Sequence, residues 1–245
     1  MEAYETFPEG FEIVNHGEGF IDIALYTEED KPPKENPPFE LVRKEKVTFK
    51  DWKEYYKPIE VGDAVIIPPW EDTSKFEGKT VLVINPGKAF GTGLHESTQL
   101  CLKLLSETDL KGKTALDVGC GSGILTIYAL KKGAKFVKAI DVDRFAVEET
   151  EENAKANGVA DRLEVCHCGP EKVEGTFDVV IANLEIHIFR EVLKDIAPKV
   201  GDKAVFSGIY TKKELEEFLN LMGEFSLKPV RIEEKNDWFG ILAQR

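Results

Sequence analysis

The stretch Leu116–Gly123, LDVGCGSG, sets one carboxylate, Asp117, two residues before three alternating glycines. Glycines at Gly119, Gly121 and Gly123 let a backbone turn sharply and come close to a ligand, where a Cβ would collide. A helix starts directly afterwards, so its free N–H groups point at that ligand. About twenty positions beyond the turn, IDVD carries a second carboxylate, Asp141, at a strand end, placed to take both hydroxyls of a ribose. Together they read as an adenosine site. A dinucleotide fold wants glycine at the sixth position of G-x-G-x-x-G, and here that position is Ile124. Asp117 would also repel a pyrophosphate, whereas it suits a ligand with an ammonium and a sulfonium, as S-adenosylmethionine has. The plain alternative is a tight strand–helix turn with no ligand.

A second glycine-rich stretch, AFGTGLHEST from Ala89 to Thr98, looks like a phosphate loop but lacks its Lys-Ser/Thr pair. His95 within it could receive a proton, or equally cap or pack against the helix that follows. Glu185 and His187, in NLEIHIF, read as solvated residues at a helix start rather than catalysts. Cys166-His167-Cys168 has no second ligand pair at zinc-like spacing, so a buried strand end is expected there and no metal site.

These residues need elements to hold them. Before about Lys50, Phe20–Tyr26 and Leu41–Phe49 alternate apolar and polar as half-buried strands do, separated by the proline-rich Lys31–Pro38. Asp51 is expected to cap a short helix, DWKEYYK. The division expected is a small α+β module over 1–50, a tether over 51–79 and the main domain over 80–245. From Thr80, TVLVIN, KTALDVG, KFVKAIDV, RLEVC, FDVVIAN and KAVFSG alternate with amphipathic helices, and two late strands close the chain. That alternation is the signature of a doubly wound, mainly parallel α/β sheet. Gly133, Gly158 and Gly223 are expected just past helix ends.

Composition bounds the function. The chain has 245 residues, 42% apolar and 31% charged, with a net charge of −13 and a pI near 4.9. An acidic surface disfavours nonspecific nucleic-acid binding; it is compatible with a basic partner and equally with plain solubility, and charge alone does not choose between them. No apolar run reaches the length of a membrane span, and four cysteines without secreted spacing point to the cytoplasm.

Read with FDVVIANL (Phe177–Leu184), ENAKANGV, DWKEYYKPIEVGDAVIIPPW and the closing EEKNDWFGILAQR, the two glycine stretches resemble the PrmA family. Its members are bacterial methyltransferases that modify amino groups of ribosomal protein L11. The resemblance runs from about Asp51 to Arg245, densest between Asn85 and Asn183. It implies a Rossmann-like class I methyltransferase with a seven-stranded sheet, S-adenosylmethionine as donor, and an N-terminal module that recognises the ribosomal protein. The family's donor-binding threonine falls on Thr98, its first turn glycine on Gly119, its ribose acid on Asp141, and the asparagine beside the methyl group on Asn183. Phe90, Gly91, Thr92 and Gly93 match its loop over the donor. Other readings are a methyltransferase with a different acceptor, an NAD-dependent oxidoreductase, and a non-catalytic adenosine-binding module.

Overall fold

The structure, a computed structural model, describes residues 12–17, 20–24, 57–85, 93 and 95–245. The chain divides into two compact units, Met1–Lys50 and Asp51–Arg245. In the first, β1 (Glu12–Gly17) and β2 (Phe20–Ala24) form an antiparallel hairpin. The strand expected at Leu41–Phe49, the proline stretch and the Asp51 helix lie outside the described residues.

The second unit is built on a sheet of seven strands ordered β11-β12-β10-β9-β6-β7-β8. Five run parallel: β6 (Thr114–Val118), β7 (Phe136–Asp141), β8 (Leu163–His167), β9 (Phe177–Asn183) and β10 (Val200–Tyr210). The last hairpin, β11 (Lys228–Lys235) and β12 (Trp238–Gln244), adds β12 antiparallel to β10. The central β6 and β9 are apolar runs because helices cover both faces. On one face lie α1 (Glu96–Ser106), α2 (Ile124–Lys131) and α3 (Arg144–Ala156), packed through Leu102, Leu105, Ile127 and Ala154. On the other, α4 (Ile186–Ile196) and α5 (Thr211–Glu224) close over Phe189, Phe206 and Phe218, whose rings stack at centroid distances of 4.6–5.7 Å.

Two local expectations change. TVLVIN supplies β5 (Thr80–Val83), which pairs not with the main sheet but in parallel with β4 (Ala64–Ile67), itself antiparallel to β3 (Ile59–Val61). All four residues of β4 are buried, and Ile66 and Leu82 share the core of α1 and α2. Within the stretch expected as a tether, Ile59–Val61 and Ala64–Ile67 are therefore paired strand. Its attachment is also polar: Asp63, between β3 and β4, accepts from Tyr128 Oη and Lys132 Nζ, each at 2.7 Å. Second, Gly133 and Gly158 do take left-handed backbones, but Gly223 lies inside α5. The left-handed residue there is Ser226 (φ 60°), with Leu227 N–H reaching back to Met222 O.

Candidate active site

The parallel strands all end on one side of the sheet, and the site is assembled there, where β6 and β9 lie side by side. Gly119, Gly121 and Gly123 have φ of 76°, 53° and 79°, values that side chains resist. The turn they make is held from three directions. Gly119 N–H donates to Ile140 O at 2.8 Å, and Gly121 N–H to Asp141 Oδ2 at 3.0 Å. From α3, Thr150 Oγ1 donates to Gly121 O and Asn153 Nδ2 to Ser122 O, both at 2.9 Å. Thr150 and Asn153 were not singled out in the sequence. The only hint was two polar residues three apart on a helix already rich in polar residues, and burial alone tells them from their neighbours.

Asp141 ends β7, and its second oxygen accepts Asp143 N–H at 2.9 Å, which fixes the carboxylate's orientation. Behind it, the end of β8 braces the same peptide: Cys168 N–H donates to Asp141 O, and His167 Nε2 lies 2.9 Å from Val142 O. Cys166 and Cys168 bring their sulfurs together across this strand end. Among the described residues, no cluster of three or more His, Cys, Asp or Glu is arranged to hold a metal.

Asp117 is nearly sealed beneath the glycine turn, and Thr126 Oγ1 donates to it at 2.6 Å. Burial pushes its carboxyl up to about 7; the Thr126 bond opposes that shift and the Asp141 charge adds to it. A cationic ligand above the turn favours the ionised form. Below pH 7 such a ligand must displace a proton, so its affinity should fall toward acid by up to about tenfold per pH unit. Calorimetric titration with S-adenosylmethionine at pH 5.5 and pH 8 checks this, and Asp117→Asn should flatten the dependence. In the ligand-free protein the raised pKa favours the fold below the unfolded carboxyl's pKa, and that contribution is lost as pH rises through about 7.

On the β9 side, Asn183 Nδ2 lies 3.4 Å from Thr98 Oγ1, so the two positions matched separately by resemblance meet in space. Thr98 is buried in the first turn of α1. Leu184 N–H is taken by Ser207 O at 3.0 Å, and a Cβ on Gly119 would come within 2.6 Å of Leu184 Cδ2. His95 is the cap of α1: its Nδ1 accepts Ser97 N–H at 3.3 Å, and its ring stands edge-on to Trp238 at 4.4 Å. Gly93 (φ 88°) rests on β4, where a Cβ would lie 2.6 Å from Ile66 Cδ1, and its carbonyl accepts Gln99 Nε2 at 3.1 Å. Phe90, Gly91 and Thr92 lie outside the described residues. Glu185 and His187 are exposed and 3.1 Å apart. Ile124, the residue that breaks the dinucleotide pattern, is buried against the Gly93 position.

An adenosine-type cradle over a buried acid, at the carboxyl ends of a sheet with this strand order, defines a Rossmann-like methyltransferase fold. A solved putative RNA methyltransferase from Pyrococcus horikoshii shares it at a TM-score of 0.55 and 20% identity, over 65% of this chain and 89% of that one. A ribosomal protein L11 methylase from Lactobacillus delbrueckii subsp. bulgaricus is closer, with TM-score 0.72 and 30% identity over 78% of this chain and 99% of its own. Ribosomal protein L11 methyltransferase of Aquifex aeolicus is 46% identical over 206 residues, 84% of this chain and 79% of that protein. The counterpart in Caldicellulosiruptor bescii is 36% identical over 243 residues, 98% and 74% of the two chains. The family model "Ribosomal protein L11 methyltransferase (PrmA)" matches residues 25–245, and the chain belongs to that family. The oxidoreductase reading is thereby set aside.

The site fits S-adenosylmethionine on its own chemistry. The turn carries no lysine or arginine for a pyrophosphate, and the buried acid beneath it favours a cation. Val142 and Phe145, just after Asp141 in sequence, are 75% and 68% exposed, apolar surface of the kind a flat base covers.

Proposed function

We propose that the chain transfers methyl groups from S-adenosylmethionine to amine nitrogens, lysine or α-amino, of ribosomal protein L11. The observation that carries this reading is the meeting of Thr98 and Asn183 beside the glycine turn, in a chain of the PrmA family. The donor supplies an electrophilic methyl group; the protein's tasks are to hold it and to present a neutral amine in line. Asp141 takes the ribose, and the glycine turn accepts the backbone-close part of the donor. With Nδ2 of Asn183 bonded to Thr98, its carbonyl oxygen is left to take an amine N–H of the acceptor and aim the lone pair. A lysine amine is mostly protonated at pH 7, and freeing it costs on the order of 4–5 kcal/mol. Desolvation beside a cationic donor lowers that cost. His95 is committed to its cap: Nδ1 accepts Ser97 N–H, which puts the neutral ring's one proton on Nε2, so a proton from the amine goes to water.

The unit Met1–Lys50 selects the substrate in this reading, since the donor-binding positions all lie beyond Asn85. The net charge of −13 suits a basic partner. Total ribosomal protein incubated with the chain and methyl-labelled donor is the direct test. Label is expected in L11, on amine nitrogens; label confined to another protein, or none with the donor bound, overturns the assignment.

A further inference from the structure

Beside Asn183, on the side of the α1 N-terminus, the fold builds an aromatic wall apart from the glycine turn. Tyr210 ends β10, three residues beyond Ser207, which is paired with Asn183 itself. Across the antiparallel ladder Tyr210 faces Trp238, with ring centroids 4.9 Å apart. Trp238 in turn meets His95, three residues before Thr98 and hence within one turn of it. Tyr210 is 44% exposed despite its size, and Trp238 is half-buried between its two neighbours.

One residue beside the wall is strained. Asn236 and Asp237 (φ 49° and 63°) are the two central residues of the β11–β12 hairpin turn, where positive φ is ordinary, but Thr211 (φ 71°) is β-branched and a true outlier. They are tied together: Thr211 N–H donates to Asp237 O at 3.0 Å, and Asn236 Nδ2 to Glu96 Oε1 at 3.0 Å. Strain of this kind persists where the surrounding structure over-determines it and gathers at functional sites. Two carboxylates lie beside the wall: Glu214 Oε2 accepts Tyr210 N–H at 2.9 Å, and Glu96 accepts from Asn236; Lys212, Lys213 and Lys235 are close by in sequence. The Asn236 bond holds the Glu96 carboxyl below its usual range, so Glu96 stays ionised.

We infer that Tyr210 and Trp238, braced by His95, form the wall along which the acceptor's cationic alkyl side chain reaches Asn183. This rests on the amine-methylating reading above. Aromatic faces take an apolar stem and attract its ammonium head, and the Glu96 and Glu214 carboxylates beside the wall are placed to meet a cation. The wall thus selects the acceptor without touching the donor.

The test separates the wall from the reading it rests on. With purified L11 as acceptor, Tyr210→Leu and Trp238→Leu should raise the acceptor KM by about tenfold. Tyr210→Phe should match the parent, and donor affinity and the melting temperature should hold in both Tyr210 variants. Tyr210→Leu is the deciding variant, because the side chain is exposed and its replacement leaves the core packing intact. Independently of L11, n-butylammonium should bind the protein loaded with S-adenosylhomocysteine more tightly than neutral 1-pentanol does, and Tyr210→Leu should remove that preference. An unchanged acceptor KM in Tyr210→Leu, or equal binding of the ammonium and the alcohol, overturns the inference. If L11 is not methylated but the butylammonium preference holds and depends on Tyr210, the substrate reading fails and the wall stands.

Discussion

Asn183→Ala is expected to lower kcat about a hundredfold while leaving S-adenosylmethionine affinity within about twofold. The reason lies in where the side chain sits. It ends β9 level with the glycine turn, one strand away, and its one bond among the described residues, to Thr98 Oγ1, is long at 3.4 Å. Losing so weak a contact costs the fold little. On the proposed mechanism, what goes is the carbonyl that orients the acceptor nitrogen, and an amine free to rotate leaves the in-line geometry methyl transfer needs. Single-turnover kinetics with saturating donor, alongside calorimetric donor titration, separate the two quantities. If donor affinity falls in step with turnover, Asn183 serves the donor instead.

Gly208→Ala should be the most damaging single methyl in the site. Gly208 has φ of 88°, at an irregularity in the β10–β12 ladder, and a Cβ there would overlap the backbone carbonyl of Leu184. A backbone atom cannot rotate aside as a side-chain tip can. Left-handed strain and overpacking each cost about 1–3 kcal/mol, so about 2–6 kcal/mol of stability should be lost. Because Leu184 follows Asn183, whatever protein still folds should also lose turnover. Gly78→Ala is the control: its φ is 78°, but nothing lies within 4 Å of the added methyl. It should cost only the backbone strain, about 1–2 kcal/mol. Urea unfolding of both variants reads the difference, and equal midpoints would show that Leu184 yields without resistance.

The parts of this site that could be read from the sequence are those in which neighbours along the chain do the work together. Gly119, Gly121 and Asp117 sit within five residues, and Asp141 follows at the next strand end, so the cradle was visible before any folding argument. Asn183 and Thr98 were legible only through resemblance, because their meeting depends on β9 and α1 converging from distant stretches. TVLVIN was recognisable as a strand, but its partner was not: parallel pairing with β4 leaves no local mark, and apolar strands are alike. Gly223 misled because a glycine near a helix end usually stops it, whereas here Ser226 takes the left-handed position. Tyr210 and Trp238 are far apart in the chain, and their ring contact follows from a cross-strand register that no spacing reveals.

The bonds from Thr150 and Asn153 to the glycine turn bear on the thermodynamics of donor capture. Glycine-rich segments lose more conformational freedom than others when they become ordered. Here α3, β7 and β6 order this one during folding, before any ligand arrives. Association therefore carries little entropic penalty from this segment, and the free energy of contact goes into affinity. Exchange of the loop amides with deuterated solvent should accordingly be slow in the free protein and change little when donor is added.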